Sequence, residues 1–373
     1  MRISRRDALA QLGIGVAAGA ATPLSVVTIR AEGADRHGPI RLDRNENAYG
    51  PSPKVVATIE RAARLVNRYP EAEAELLRRE VARIRSVQLD RIVLGSGAGE
   101  ILRAAVQTLT GRGHRVVMAA PGFDVFQGIV ARAGRRLASV RLVDDHSHDL
   151  AAMLAAIDST TRLVYICNPN NPTGTLTRRR DIEAFLAKLR SDVFVIIDEA
   201  YDEYVGPTSD YASFLEHPVD DRRVIVVRSF STIYGLAGMR VGYAIADAPT
   251  ASLLASSGLE ADVTALSARA AVAAMHDPGH IRTSAARNAD DRQEFFNQAN
   301  ARMLRAIDSV TNFVLLDAGE PARHVIDSLA RQDIIVAGPF GEKNRHVRVS
   351  LGTRADMEEF WRAWDRIPMH MSM

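Results

Sequence analysis

Residues 228–243 join two short apolar runs, 224–227 and 243–246, through a connection rich in small polar groups. Ser229, Ser231 and Thr232 supply hydroxyls, Gly235, Gly238 and Gly242 free the backbone, and Arg240 supplies a guanidinium. Backbone N–H groups and hydroxyls can surround the oxygens of a phosphate while a guanidinium grips two of them, so the stretch predicts a phosphate loop. Three more polar groups follow apolar runs. Gly95, Ser96, Gly97, Ala98 and Gly99 open a helical pattern at Glu100, whose free N–H groups make an anion site. In the turn from Asn168 to Gly174, Pro169 and Pro172 hold the asparagine amides rigidly, and Asn170 suits an ordinary turn role. Asp198 ends an apolar run, where a buried carboxylate calls for a cationic partner. Together these groups describe a site for a ring that carries a phosphate and a protonatable nitrogen.

The elements that must position these groups alternate. Short β-rich runs at 91–94, 115–119, 137–142, 163–166, 193–197, 224–227 and 243–246 are interleaved with helical patterns at 100–109, 123–133, 149–157 and 179–189. That alternation predicts an α/β domain with a mainly parallel sheet covered on both faces. Two helical patterns, 54–67 and 72–87, precede it and are broken at Arg68, Tyr69 and Pro70. Beyond about residue 248 come long helical patterns at 251–275 and 280–306, strands at 312–317, 334–336 and 347–351, and helices at 321–331 and from 355. We expect an extended arm over 32–53, a large domain over 54–250, and a bridging helix with a smaller α/β domain over 251–373. Ligands in such folds sit at the carboxyl ends of the strands and between domains.

Composition removes several classes of function. The 373 residues carry 47 Lys+Arg and 45 Asp+Glu, a balance without the basic excess of a nucleic-acid footprint. The ten histidines are scattered and show no helical pair at metal spacing, so no metal is expected. Cys167 is the single cysteine and reads as buried filler. Residues 1–31 begin with Arg5 and Arg6 and continue into small apolar residues, which resembles a twin-arginine export signal rather than a stable membrane span. A periplasmic or exported protein is the expectation, with a cytoplasmic one the alternative.

Taken in order, Asn45-Glu46-Asn47, Tyr49-Gly50-Pro51-Ser52-Pro53, Arg68-Tyr69-Pro70, Gly95 to Glu100, Asn168 to Gly174, Asp198-Glu199-Ala200-Tyr201 and Ser229 to Gly242 resemble the fold-type I aminotransferases of class I/II, and most of all the histidinol-phosphate aminotransferases. The resemblance implies pyridoxal 5′-phosphate (PLP) as cofactor, an amino acid and a 2-oxo acid as substrates, and a homodimer. It gives Asp198 the ring nitrogen, Asn171 and Tyr201 the phenolic oxygen, and Phe123 the ring face. It gives the phosphate to Gly97, Ala98, Gly99, Ser229, Ser231 and Arg240, with Tyr69 reaching the neighbouring subunit's phosphate. Arg348, with Asn47, would hold the substrate, a guanidinium suiting a carboxylate.

One position departs from that pattern. The catalytic lysine that makes the Schiff base stands, in the resembled family, directly after the loop serine and eight residues before the arginine; here that place is Thr232. A hydroxyl has no amine to give the cofactor and is a poor base, so the expected binding is non-covalent. Lys54, Lys188 and Lys343 are the only lysines, and none realigns to the loop. A natural variant, an altered position that traps the cofactor, and a relative that has lost transamination all satisfy the pattern, as does another PLP chemistry on the same scaffold. The arginine that helps hold a phosphorylated substrate is also missing after 334–336, where Ala337, Gly338 and Pro339 follow, so another amino acid competes with histidinol phosphate.

Overall fold

The computed structural model describes residues 38–216, 218, 221–259, 263–319 and 321–368. The expected export segment, 1–31, lies outside the described residues. The arm enters as a short strand, β1 (Ile40–Leu42), and leads to α1 (Pro53–Ala62) and α2 (Glu71–Arg85). Ser52 caps α1 by accepting the Val55 N–H, and Pro53 follows at the first turn, where a missing N–H costs nothing.

The large sheet contains β2 (Ile92–Gly95), β3 (Arg115–Ala120), β4 (Arg136–Arg141), β5 (Thr161–Cys167), β6 (Phe194–Asp198), β7 (Val224–Ser229) and β8 (Gly242–Ile245). Its order is β2-β8-β7-β6-β5-β3-β4. Only β8 runs against its neighbours β2 and β7, so the carboxyl ends of the other six strands share one edge. The central strands are buried on both faces, which is why their sequences are continuous apolar runs rather than alternating ones. The covering helices are α3 (Ala98–Leu109), α4 (Asp124–Arg132), α5 (Leu150–Ala155), α6 (Arg179–Lys188), α7 (Ala248–Ala255) and α8 (Ala265–Met275).

The helix expected over 251–275 is two helices. α7 stops before Gly258, whose φ of +87° is a left-handed conformation that breaks a helix, and Thr264 caps α8 by accepting the Ser267 N–H. Both pack on the large core, and the bridging element is α9 (Pro278–Ala301). Its early residues Ile281 and Ala285 pack against the first core, while Phe295 and Ala299 belong to a second. That second core lies on a sheet of order β1-β10-β11-β9, made by β9 (Phe313–Asp317), β10 (Ile334–Phe340) and β11 (His346–Ser350) with α10 (Ala322–Ala330) and α11 (Arg354–Trp364). The arm is therefore part of the smaller sheet, β1 running parallel to β10. Among the described residues no helix is long and apolar enough to cross a membrane.

Candidate active site

The shared carboxyl edge faces the small sheet across a cleft of about 1110 Å³. Ala98 and Gly99 reach it from the start of α3, Phe123 from the turn after β3, Asn171 from the turn after β5, and Asp198 and Tyr201 from the end of β6. The loop after β7 adds Ser229, Ser231, Thr232 and Arg240, and β11 adds Arg348 from the opposite wall. Strand direction brings together side chains from Ala98 to Arg240 on one edge, and the small sheet adds Arg348 from the opposite wall.

Asp198 is 3% exposed. Tyr165, on the neighbouring strand, donates its hydroxyl to Oδ2 at 2.8 Å, and the Ala200 N–H reaches Oδ1 at 3.1 Å. Tyr165 is itself fixed by stacking on Phe126, with ring centroids 4.0 Å apart. Burial raises the Asp198 pKa to about 6, against the pull of these two hydrogen bonds. Among the described residues no cation forms an ion pair with this carboxylate, and Arg228 acts on it only at a distance, so a ligand could supply the cationic partner.

The phosphate loop is shaped by backbone and small residues. Arg240 takes a left-handed conformation, φ 51°, and donates from Nη1 to the Ser231 hydroxyl at 3.3 Å and the Ala237 carbonyl at 3.0 Å. Gly97 precedes α3 with φ 83°, and a Cβ there would overlap the Arg240 guanidinium. Glycine at this point is what lets the arginine lie against the helix N-terminus, where free N–H groups and a guanidinium converge. The Ser229 hydroxyl accepts the Ser231 N–H at 3.0 Å.

On the opposite side, Tyr201 is held by amides. Its hydroxyl receives Asn171 Nδ2 at 3.2 Å and Asn45 Nδ2 at 2.9 Å, and burial pushes its pKa upward. Arg348 donates from Nη1 to Asn171 Oδ1 at 2.6 Å and from Nη2 to the Asp43 carbonyl at 2.5 Å. Its Nε is buried without a hydrogen-bond partner, and burial lowers its pKa. Among the described residues no carboxylate pairs with this guanidinium, so its unanswered N–H could meet a ligand carboxylate.

Thr232 is buried, and its hydroxyl donates to the Ala200 carbonyl at 2.7 Å. None of the three lysines lines the cleft, and Lys54 instead donates to the His276 carbonyl at 2.9 Å. Cys167 is buried, with its pKa raised well above the ordinary thiol value by burial, which suits packing and not nucleophilic attack.

Two expected site residues lie elsewhere. Asn47 lines an adjoining cavity and not the cleft, because its amide is used to donate to the Ile233 carbonyl at 2.8 Å and to accept the Tyr49 N–H at 3.0 Å. Tyr69 stands 88% exposed, away from the cleft of its own chain. Gly97 shapes the site without lining it. Asn45 and Tyr165 were not singled out from sequence. Asn45 belongs to the same motif as Asn47, and Tyr165 is the one aromatic of an aliphatic strand, which is the signal that would have marked it.

The residues present fit pyridoxal phosphate. The unanswered Asp198 suits a pyridinium N–H, Tyr201 and Asn171 suit the phenolic oxygen, and the cradle of Ala98, Gly99, Ser229, Ser231 and Arg240 suits the phosphate.

Comparison with known proteins agrees with this chemistry. Residues 38–363 match the family described as aminotransferase class I and II. The chain is 36% identical over 330 residues to a histidinol-phosphate aminotransferase of Akkermansia muciniphila, covering 88% of this chain and 90% of the relative. It is 34% identical over 317 residues to an aromatic amino acid aminotransferase of Streptomyces coelicolor, covering 84% and 87%. Among solved structures, the histidinol-phosphate aminotransferase from Sinorhizobium meliloti in complex with pyridoxal-5′-phosphate superposes with a TM-score of 0.83 at 30% identity, over 88% of this chain and 90% of that one.

Proposed function

The chain belongs to the class I and II aminotransferases, and from that premise we propose that it holds pyridoxal 5′-phosphate without a covalent bond, Thr232 standing where a lysine would form one. PLP is the cofactor of this family, and the fold is that of its fold-type I members. The substrates of this reading are an amino acid and a 2-oxo acid, with the α-carboxylate on Arg348. Histidinol phosphate and aromatic amino acids are the first candidates, after the relatives that carry those names.

In this reading the cofactor supplies an electron-withdrawing ring that stabilises negative charge at the substrate α-carbon. Asp198 keeps the ring nitrogen protonated by offering it a buried carboxylate. Phe123 covers the ring face, and Asn171 and Tyr201 hold the ring oxygen. Ala98, Gly99, Ser229, Ser231 and Arg240 bind the phosphate and so orient the ring. The observation that carries the non-covalent reading is the residue at 232: threonine has no amine to link to an aldehyde, and its hydroxyl, which donates to the Ala200 carbonyl at 2.7 Å, is a poor base for the α-proton. Without an amine at this position, turnover is slow and binding persists. The same observation favours a second reading, a member that binds cofactor and amino acid without exchanging them.

Borohydride treatment of the purified protein tests the proposal. Cofactor should be present and released on denaturation, and capture on Lys54, Lys188 or Lys343 would overturn the assignment. Thr232→Lys should give covalent capture at position 232 together with amino-group transfer to a 2-oxo acid. A Thr232→Lys protein that takes up no PLP would discard the family chemistry for this chain. Product formation by the unaltered protein separates slow turnover from binding alone.

Two further parts of the proposal concern assembly and location. An 88%-exposed Tyr69 suits a role at a neighbouring subunit's phosphate, so a homodimer is expected by light scattering. The paired Arg5 and Arg6 suit export of a folded, cofactor-loaded protein, and fractionation should find a shortened form in the periplasm.

A further inference from the structure

A second buried constellation lies behind the cleft. Arg228 is 1% exposed, and neither it nor its three carboxylate partners lines the cleft wall. Its Nε meets Glu199 Oε2 at 3.0 Å, and Nη1 meets Glu203 Oε1 at 3.0 Å and Asp202 Oδ2 at 2.5 Å. Nη2 donates to Ser213 Oγ at 2.9 Å, and Ser213 in turn donates to Glu199 at 2.7 Å. Tyr234, within the phosphate loop, donates to Glu203 at 2.9 Å.

The position of this network in the fold gives it a role. β6 and β7 pair as far as Asp198 opposite Val227, and one more bond joins Glu199 N–H to the Val227 carbonyl. Beyond that the two chains part. One continues to Ala200 and Tyr201 at the ring end of the site, the other to Ser229 and Ser231 at the phosphate end. Arg228 adjoins Ser229, and Glu199 adjoins Asp198, so the guanidinium closes the gap one residue behind both halves. Its planar fork bonds three directions at once, which a single ammonium cannot reproduce.

We propose that this network, centred on Arg228, is a positioning device that sets the distance between the ring-binding and phosphate-binding halves of the site. The proposal rests on the reading of that site as one for pyridoxal phosphate. A rigid ligand with two ends gains from both only when their separation matches the site. The network therefore tunes affinity for the complete cofactor and leaves each end's own contacts in place.

The test compares three probes on the same protein: pyridoxal phosphate, pyridoxal and inorganic phosphate. The first two are titrated by absorbance, and phosphate is measured by competition. Arg228→Lys should weaken pyridoxal phosphate by about tenfold or more, as misplacement of a two-point ligand does, while pyridoxal and phosphate stay within about twofold. Tyr234→Phe, which removes one tie and keeps the charges, should weaken pyridoxal phosphate by about threefold with the same selectivity. Unchanged affinity for the complete cofactor would overturn the proposal. So would an equal fall for all three probes alongside a lower unfolding temperature, since that marks simple destabilisation. If Arg228→Lys does not fold, Tyr234→Phe decides by the same rule. An unaltered protein that takes up no pyridoxal phosphate overturns the reading of the site itself, a result distinct from either variant outcome.

Discussion

Arg228 and Arg348 are both buried guanidinia, 1% and 7% exposed, and they are completed in different ways. Arg228 meets three carboxylates and a serine hydroxyl, all from its own chain. Arg348 meets an amide and a carbonyl, both neutral, and one N–H is left without a partner. Asp198 shows the same incompleteness with the opposite sign, since its partners are a phenol and a backbone N–H. Removing an ion from water costs several kcal/mol, and folding recovers that cost only where a counter-charge is in place. The Arg228 cluster is therefore completed within its own chain, whereas Asp198 and Arg348 leave charge that a ligand could meet.

The largest expected effect breaks the satisfied side. Arg228→Met would leave Glu199, Asp202 and Glu203 buried together without the cation they share, costing about 3–5 kcal/mol of folding stability by urea titration. Arg348→Met should cost the fold far less, because no carboxylate is stranded, and equal losses in the two variants would dissolve the contrast.

Asp198 sharpens the comparison through pH. Its folded pKa, about 6, is raised above the ordinary carboxyl value of 3.8, so the cofactor-free fold binds this proton more tightly than the unfolded chain does. That contribution to stability is complete below pH 4 and is lost as pH rises through 6, a swing of about 2–3 kcal/mol. Asp198→Asn should remove this downward contribution, and bound cofactor should do the same by supplying the cation; the remaining profile rises with pH, because burial lowers the His148 pKa to about 4 and so gives the opposite slope. A difference between wild type and Asp198→Asn that does not fall with pH over this window would contradict the assignment.

On the ligand side, Arg348→Met should weaken an amino acid or 2-oxo acid by about 10–100-fold, the worth of a charge-assisted pair, read from the cofactor's absorbance. The smallest effect is at Thr232→Val, which removes one hydrogen bond to Ala200 and should cost about 1 kcal/mol with cofactor affinity nearly unchanged. A large loss of cofactor there would give the hydroxyl a role beyond that bond.

The elements were legible where burial is two-sided or capping is local. Strands β5, β6 and β7 are built around apolar runs because helices cover both faces of the sheet; β6 and β7 end on the site residues Asp198 and Ser229, and β5 ends before the asparagine turn. The break between α7 and α8 was missed because alanine-rich periodicity outweighed Ser256, Ser257 and Gly258 as stop signals. The bridging role passed to α9 for the same reason, since a helix cut in two spends both halves on one core. Asn45 and Ser350 exchange hydrogen bonds although 305 positions separate them, and no local pattern reports such a pairing.

By itself, the sequence determined the alternation of strands and helices, the order of the motifs along the chain, the family they resemble, and the presence of threonine at 232 with no lysine nearby. These are matters of local propensity and residue type. Only the tertiary structure decided that Asn47 is used on the Ile233 carbonyl, that the Thr232 proton is held by Ala200, and which buried charges find a counter-charge. Those outcomes depend on which groups packing brings within hydrogen-bond reach, and that follows from how the strands end on a common edge and how the smaller sheet closes over it.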